Sequence, residues 1–377
     1  MGRASAEIDA EIARFGSIGF DRYVELALYG EHGFFTAGRG AGRAGRDFVT
    51  SPEIGPLFGR CVAVALDDEW RALGSPDPFV VVEAGAGNGR LCREVLRAEP
   101  ACAPALRYVL VETSAMLRAE QHERLTIEPP AVALGGFAAT IDDEPPEPVE
   151  RLGPIVTALD ALPAIAIDGV VLANELLDNL PFGLAEYDGT AWHELRVGSG
   201  RAWIRVPLAR ADASAVGIFG SVPPGTRVSL PRALGPWLAA AAAVVRRGAL
   251  LLVDYMIDAA AMSSRGDGWL RTYRDHQRGG DPLTDPGSHD ITADVVVEQL
   301  IGTAASLGLD TALVGQAEWL RKLGIDQLVD DGARRWSEGA GVGDLRALEG
   351  RSRATQAAAL TDPDGLGGFT VARLVRR

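Results

Sequence analysis

A glycine-rich turn between a predicted strand and a predicted helix constrains this chain more than any other segment. An apolar run at residues 80–82 ends in Glu83, and glycines follow at alternate positions, Gly85, Gly87 and Gly89. Apolar residues at helical spacing come next. The pattern predicts a buried strand, a tight loop and the start of a helix. Glycine lets such a loop turn sharply and lets a ligand lie against bare backbone, and the helix start supplies free N–H groups.

The spacing of these glycines favours S-adenosylmethionine over a nicotinamide dinucleotide. The dinucleotide fingerprint is Gly-x-Gly-x-x-Gly, and here the third glycine comes one residue early. Glu83 would face a pyrophosphate unfavourably, whereas it suits the ammonium and sulfonium groups of S-adenosylmethionine. A nicotinamide-dependent oxidoreductase is therefore disfavoured. A strand-to-helix turn with no ligand is the remaining alternative for this motif.

Acids also follow the next two predicted strands. Glu112 ends the apolar run 108–111 and lies 23 residues after Gly89, close to the roughly 20-residue offset of a ribose-binding acid. Thr113 and Ser114 follow it, and either can cap the next helix. Asp160 follows a short predicted strand at 155–157, where a base could be contacted, although a loop aspartate without a ligand explains it as well. We predict that Glu112, Thr113 and Asp160 bind the cofactor.

A second polar cluster follows the buried run 170–173. It contains Asn174, Glu175, Asp178 and Asn179. In open α/β sheets, ligands bind outside the carboxyl ends of the strands. A helix cap with solvated acids would explain Asn174, but explains the two acids less well, since they lie three residues apart and would share one face of a turn. We predict that Asn174, Glu175 and Asp178 are catalytic, with Asn174 also touching the cofactor.

Charge and composition limit the classes of partner. The net charge is −14 and the sequence pI is about 4.9, with no run rich in Lys or Arg. This balance argues against nucleic acid or an anionic membrane as a partner. It favours a cationic substrate, although an acidic surface also serves solubility.

Cysteine usage and the N-terminal residues predict a cytosolic location. The three cysteines show no metal-binding spacing and leave an odd one, which predicts a reduced interior and no metal site. No apolar run reaches membrane-spanning length. Acidic residues near the N-terminus argue against a transit peptide. We therefore expect a cytoplasmic enzyme.

The chain divides into two predicted regions. Residues 1–75 contain two helices between 5 and 30, a glycine-arginine loop at 38–46 that is either a connector or a lid, and a helix capped by Ser51 that runs to about Leu73. Residues 76–377 alternate strands and helices, which indicates an α/β fold. An antiparallel hairpin insertion is predicted at about 182–210, where a homodimer interface is conceivable. A second insertion is predicted at about 258–292, in which residues 265–291 look long and irregular. Residues 126–153 resemble irregular surface.

With these motifs together, the chain resembles the MidA-like family of S-adenosylmethionine-dependent methyltransferases, which includes a mitochondrial complex I assembly factor that methylates an arginine. The resemblance covers nearly the whole chain, in the shared order of segments 47–54, 83–89, 111–114, 173–181, 254–255, 271–276, 290–292 and 367–369. It implies a Rossmann-like class I methyltransferase fold, in which a seven-stranded, mostly parallel sheet has an antiparallel last strand. It also implies that Glu83, the three glycines and Glu112 hold S-adenosyl-L-methionine, with Asn174 and Glu175 beside the methyl group.

The same resemblance implies methylation of a protein arginine. Glu175 and Asp178 would then localise the guanidinium charge, with Glu53 as a third candidate. Further substrate contacts are predicted for Asp254, Tyr255, Tyr273 and His276. Leu176, Leu177 and Asn179 depart from the family pattern, as does Ala86, so a small-molecule O- or N-methyltransferase, with Glu175 or His276 as base, stays an alternative. A cofactor-binding assembly or scaffold protein without turnover is another.

Overall fold

The structure is a computed structural model that describes residues 3–38, 50–135, 152–274, 277–339 and 345–376. Three predicted features lie outside these residues: positions 39–46 of the glycine-arginine loop that was expected to be a connector or lid, His276, and positions 136–151 of the 126–153 segment. Among the described residues, no helix is long and apolar enough to cross a membrane.

Strands and helices alternate along the chain. The strands are β1 (Ser17–Gly19), β2 (Phe79–Ala84), β3 (Leu106–Val111), β4 (Ile155–Leu159), β5 (Ile167–Asn174), β6 (Gly183–Tyr187), β7 (Trp192–Gly198), β8 (Trp203–Pro207), β9 (Arg227–Leu230), β10 (Val245–Asp254), β11 (Met256–Ile257), β12 (Leu270–Arg274), β13 (Gln277–Arg278), β14 (Asp290–Ala293), β15 (Val295–Val296), β16 (Leu309–Gly315) and β17 (Thr370–Arg376). The helices are α1 (Arg3–Phe15), α2 (Phe20–Tyr29), α3 (Ser51–Ile54), α4 (Pro56–Ala72), α5 (Arg90–Arg97), α6 (Ala115–Arg124), α7 (Pro130–Leu134), α8 (Ala213–Gly217), α9 (Leu234–Val244), α10 (Ala259–Ser264), α11 (Val297–Ser306), α12 (Gln316–Lys322), α13 (Ile325–Gly339) and α14 (Leu345–Thr361).

A seven-stranded sheet forms the centre of the molecule, in the order β16-β17-β10-β5-β2-β3-β4. The five strands from β10 to β4 are parallel, and β17 is antiparallel to both of its neighbours. The prediction of a mostly parallel sheet with an antiparallel last strand is confirmed. Both faces are covered by apolar clusters, as expected for parallel strands. The chain moves outward from β2 to β4 and returns at β5, so the topological switch point lies between β2 and β5.

A smaller antiparallel sheet builds a second core above the first. Its strands follow the order β1-β7-β6-β9, with β8 paired to β7. Helices α1 and α2 pack on it through residues such as Ile8, Phe20 and Tyr23, and the segment around Trp269 completes the cluster. The predicted hairpin insertion is therefore present, and α2 packs on its strands β6 and β7. The division of the chain at residue 75 and a homodimer through the hairpin stay predictions.

Two expectations about local structure are wrong. The helix predicted from Ser51 to Leu73 is two helices that meet at Gly55, which has a φ of 152° and where a side chain would collide with Gln356. The N-cap of α3 is Thr50 and not Ser51, because Thr50 N donates to Glu53 Oε2 at 3.1 Å and Ser51 is already inside α3. The 265–291 segment is not irregular throughout either, since β12, β13 and the start of β14 lie within it.

Candidate active site

The carboxyl ends of four neighbouring strands stop side by side and form one end of a cavity of about 440 Å³. Ala84 of β2 is opposite Val111 of β3 and Ala173 of β5, and Val111 is opposite Leu159 of β4. Each of the predicted cofactor motifs follows one of these residues directly. The sheet therefore brings to one edge segments that are far apart in sequence, at the switch point where α/β sheets bind ligands.

The three glycines of the loop after β2 all adopt positive φ, which favours glycine. Gly85 and Gly87 line the cavity. A Cβ built at Gly87 would meet no atom within 4 Å, so the backbone there borders open cavity space. Gly89 does not line the cavity. It is the N-terminal cap of α5, with a φ of 77°, and a side chain would come within 2.9 Å of Leu125 Cδ1.

Glu112 connects this loop to β3. Its Oε2 accepts a hydrogen bond from Gly87 N at 2.9 Å, and its Oε1 accepts one from Ser114 N at 2.8 Å. Burial raises the pKa of the carboxyl group, and these backbone donors oppose the rise. Thr113 and Asp160 also line the cavity, at exposed positions on its rim. These three residues therefore lie where a nucleoside could contact them.

Glu83 lies at the end of β2, buried but bordering the cavity. Its Oε2 accepts a hydrogen bond from Tyr108 OH at 2.8 Å. Burial raises the pKa of the carboxyl group to about 8. A cationic ligand group would lower that pKa by stabilising the carboxylate, so the site is electrostatically suited to an ammonium or sulfonium.

Glu175 is held in a strained backbone conformation immediately after β5. Its φ is 53°, an uncommon value for a residue with a side chain, and such strain occurs often at functional sites. Glu175 Oε1 accepts hydrogen bonds from Ser51 N and from Asn174 Nδ2, each at 3.0 Å. Burial raises the pKa of Glu175 to about 8, and the negative charges of Asp178 and Glu53 add to the effect. Asn174 and Glu175 both line the cavity.

Asp178 does not share a face with Glu175, so that expectation is wrong. The turn after β5 closes as a short 3-10 helix at Leu177–Asn179, and Asp178 borders a separate cavity of about 30 Å³. Burial raises the pKa of Asp178 to about 6, while the positive charge of Arg271 lowers it. Asp178 thus lies behind the cavity wall, beside the segment β12–β14.

The predicted substrate residues near the end of β10 also lie outside the cavity lining. Asp254 is buried, and its Oδ2 accepts hydrogen bonds from Leu176 N at 3.1 Å and Leu177 N at 2.7 Å. Tyr255 packs on Phe369, with ring centroids 3.8 Å apart. Tyr273 is in β12, paired with Asp290. Asp254 therefore supports the turn that carries Glu175. Of Glu53, Asp254, Tyr255 and Tyr273, Glu53 is the one that lines the cavity.

Several cavity residues escaped the sequence interpretation. Tyr29 and Phe35 come from the N-terminal region, and Tyr29 OH donates to Asn179 O at 3.1 Å. Trp237 of α9 and Arg90 of α5 also line the cavity. Arg90 follows the glycine motif directly, so its position was a usable signal. Tyr29 and Phe35 carried no such signal, because the packing of α2 and the residues after it on the small sheet places them there.

The cavity fits S-adenosylmethionine. Backbone at Gly87 faces open space, Glu83 offers a carboxylate, and the buried Asn174 Oδ1 has no hydrogen-bond partner in the described part of the chain. A family model described as "Putative S-adenosyl-L-methionine-dependent methyltransferase" matches residues 61–314, about two thirds of the chain. The chain belongs to this methyltransferase family. The resemblance inferred from sequence is confirmed at this level, as is the cofactor.

Solved structures and relatives agree with this assignment. A Burkholderia thailandensis protein crystallised with bound S-adenosyl-homocysteine is 29% identical and has a TM-score of 0.79, over 99% of this chain and 92% of that one. The Drosophila melanogaster protein arginine methyltransferase NDUFAF7 homolog, mitochondrial, is 28% identical over 78% of this chain and 68% of its own length. Protein arginine methyltransferase NDUFAF7, mitochondrial, of Xenopus tropicalis is 28% identical over 81% and 68%.

These relatives contradict the expected cytoplasmic location, because they are named as mitochondrial proteins. The expectation rested on cysteine usage and on a few N-terminal acids, which do not distinguish one reducing compartment from another. Among the described residues, no cluster of three or more His, Cys, Asp or Glu side chains could hold a metal ion.

Proposed function

We propose that this methyltransferase acts on an arginine side chain of a protein. A guanidinium stays charged in proteins, since its pKa exceeds about 12. An enzyme that methylates it therefore has to localise the charge and present one nitrogen to the methyl group. Paired carboxylates suit this task because they bind the guanidinium fork with geometric specificity.

The observation that carries the proposal is the pairing of Glu53 with Glu175. Their carboxylates accept hydrogen bonds from consecutive backbone amides, Thr50 N to Glu53 Oε2 at 3.1 Å and Ser51 N to Glu175 Oε1 at 3.0 Å. Both residues line the cavity that also contains the cofactor motifs. Glu53 thus takes the role first assigned to Asp178. Two acids 122 residues apart in sequence thus border one cavity, where a cation could reach the cofactor.

The residues of the chain then have distinct tasks. Bound S-adenosylmethionine supplies an electrophilic methyl group. Asn174 Nδ2 and Ser51 N fix one oxygen of Glu175, so the carboxylate is oriented before the substrate arrives. Glu53 and Glu175 hold the guanidinium, and Glu175 accepts the proton that the attacking nitrogen loses. A pKa near 8 suits a group that has to take up this proton near neutral pH.

The names of the relatives support the same substrate class. Proteins about 28% identical to this chain over most of its length are named protein arginine methyltransferases. The aromatic and aliphatic wall of the cavity, which includes Tyr29, Phe35 and Leu176, would contact the apolar stem of an arginine.

A small-molecule acceptor is the second candidate. The elevated pKa of Glu175 and the enclosing aromatic residues Tyr29, Phe35 and Trp237 would also suit a general base acting on a compact hydroxyl or amine. In that reaction the loss of Glu53 would have little effect, because no second carboxylate is needed.

The test is to incubate the purified protein with methyl-labelled S-adenosylmethionine and a lysate of its own source. Protein and small-molecule fractions are then separated, and labelled protein is hydrolysed for analysis of methylarginine. Label in methylarginine that is lost in both Glu53→Gln and Glu175→Gln supports the proposal. Exposed Glu318, which pairs with Lys322, provides the control Glu318→Gln. Label confined to small molecules would favour the second candidate, and confirmed cofactor binding without label would favour a scaffold.

A further inference from the structure

The charges that line the cavity are unequal. Five acids face it, Glu53, Glu83, Glu112, Asp160 and Glu175, whereas Arg90 is the one cationic side chain among its described lining residues. S-adenosylmethionine carries positive charge at its sulfonium and ammonium groups. Its only anionic group is the carboxylate of the methionyl portion. A cationic group stabilises the ionised form of these acids, so they can bind the first two groups, whereas the carboxylate needs a hydrogen-bond donor of its own.

Arg90 has donors free for such a partner. It is the first residue of α5, directly after the glycine loop. Its Nη2 lies 3.4 Å from Glu53 O, which places the guanidinium at the Glu53 end of the cavity. Within the described ranges no carboxylate lies within 4.0 Å of it, and its buried Nε has no hydrogen-bond partner. The neighbouring Arg93 and Arg97, in contrast, both pair with Glu94.

Asn88 gives a second, independent indication. Its side chain is 5% exposed and lines the same cavity two residues before Arg90. Asn88 Nδ2 is buried and makes no hydrogen bond to any part of the protein that the structure describes. A buried donor without an acceptor is costly and uncommon in native proteins. Asn88 and Arg90 therefore present unsatisfied donors in one short segment of the cavity wall.

We propose that Arg90 and Asn88 bind the carboxylate of the cofactor's methionyl group and make the enzyme selective for cofactors that carry it. The inference concerns cofactor recognition and is independent of the acceptor. A charge-assisted hydrogen bond to a carboxylate contributes about 10- to 100-fold in affinity. The selectivity should therefore be visible in binding alone.

The test compares two ligands by isothermal titration calorimetry. S-adenosyl-L-homocysteine retains the carboxylate, and its decarboxylated counterpart keeps the adenosine, the sulfur and the amine but lacks that group. We expect the wild-type protein to bind the first about 10- to 100-fold more tightly. Equal affinity of the wild type for the two ligands would overturn the proposal without any variant being made.

Variants then locate the selectivity. Arg90→Met should lower the affinity for S-adenosyl-L-homocysteine about 10- to 100-fold. The affinity for the decarboxylated ligand should change less than about 3-fold, or should rise, since the removed charge repelled the amine of that ligand. Asn88→Ala should act in the same direction with smaller effect. Arg93→Gln, three residues further along α5, is the control and should leave both affinities unchanged.

Two other outcomes would contradict the assignment. If Arg90→Met lowers the affinity for both ligands equally, Arg90 acts by holding α3 through Glu53 O and not by binding a carboxylate. If it weakens neither, Arg90 has no part in cofactor binding. Circular dichroism of each variant checks that the fold persists, and Arg90→Lys, which keeps the charge, should retain part of the selectivity if the proposal is right.

Discussion

Gly87 N donates a hydrogen bond to Glu112 Oε2 at 2.9 Å, so the loop after β2 is tied directly to the acid after β3. Gln121 Nε2 holds the same glycine from the other side, through Gly87 O at 2.7 Å. The glycine motif and the acid are therefore one preorganised unit. The backbone between these two contacts faces the cavity with no side chain in front of it.

The first prediction follows from that open space. Gly87→Val should reduce affinity for S-adenosylmethionine at least about 100-fold, because its side chain would occupy the cavity. Gly74→Val is a matched control, since Gly74 also has positive φ and open surroundings but lies at the end of α4. Each variant should lose about 1–2 kcal/mol of stability from backbone strain. Equal cofactor affinity of Gly87→Val and Gly74→Val in a titration would contradict the placement of the cofactor.

The second prediction concerns pH. Burial raises the pKa of Glu175 to about 8, so the carboxyl group of the free enzyme is largely protonated at neutral pH. A guanidinium binds the deprotonated form, hence kcat/KM for an arginine peptide should rise with pH and level off above about pH 8. Glu175→Gln should lower kcat about 100-fold or more and remove this rise. A pH profile that is the same in the wild type and in Glu175→Gln would rule out the assigned role.

The third prediction links Glu83 to stability. Its pKa is raised from 4.5 to about 8, so between these values the unfolded chain loses a proton that the folded protein keeps. The folded state is therefore progressively disfavoured as pH rises through this window. Glu83→Gln should raise the free energy of unfolding by about 1–3 kcal/mol at pH 8, and by less at pH 5.

The same substitution should weaken binding of S-adenosylmethionine, because the carboxylate that balances its positive charge is lost. Urea unfolding at the two pH values, combined with calorimetric titration, measures both effects. Glu318→Gln serves again as the control, since this exposed residue should change neither. A Glu83→Gln protein that is less stable than the wild type at pH 8 would show that the carboxylate is stabilising in the free protein.

The fourth prediction concerns Asp254, which supports the turn carrying Glu175. Asp254→Asn removes an acceptor shared by Leu176 N and Leu177 N, at a cost of about 1–3 kcal/mol in stability. We expect kcat to fall, with KM for the acceptor and cofactor affinity nearly unchanged, because the turn is misplaced and the binding groups remain. Asp258→Ala, which removes the N-terminal cap of α10, is the control and should cost about 1 kcal/mol of stability without lowering kcat.

Local patterns in the sequence determined the sheet and most of the residues proposed to bind the cofactor. Apolar runs ending in Glu83, Val111 and Asn174 are strands whose carboxyl ends must meet once the sheet is parallel, so the acids and glycines after them could be assigned to one cavity. Only the tertiary structure decided which of the predicted acids lie together at the proposed acceptor site, Glu53 with Glu175 and not Asp178. Glu53 meets Glu175 because Thr50 N and Ser51 N present their donors together, and Tyr29 reaches the cavity because α2 packs on a distant hairpin. Spacing along the chain predicts neighbours within an element and along one sheet edge, whereas contacts between the N-terminal segment and the loop after β5 depend on packing across 124 residues of sequence.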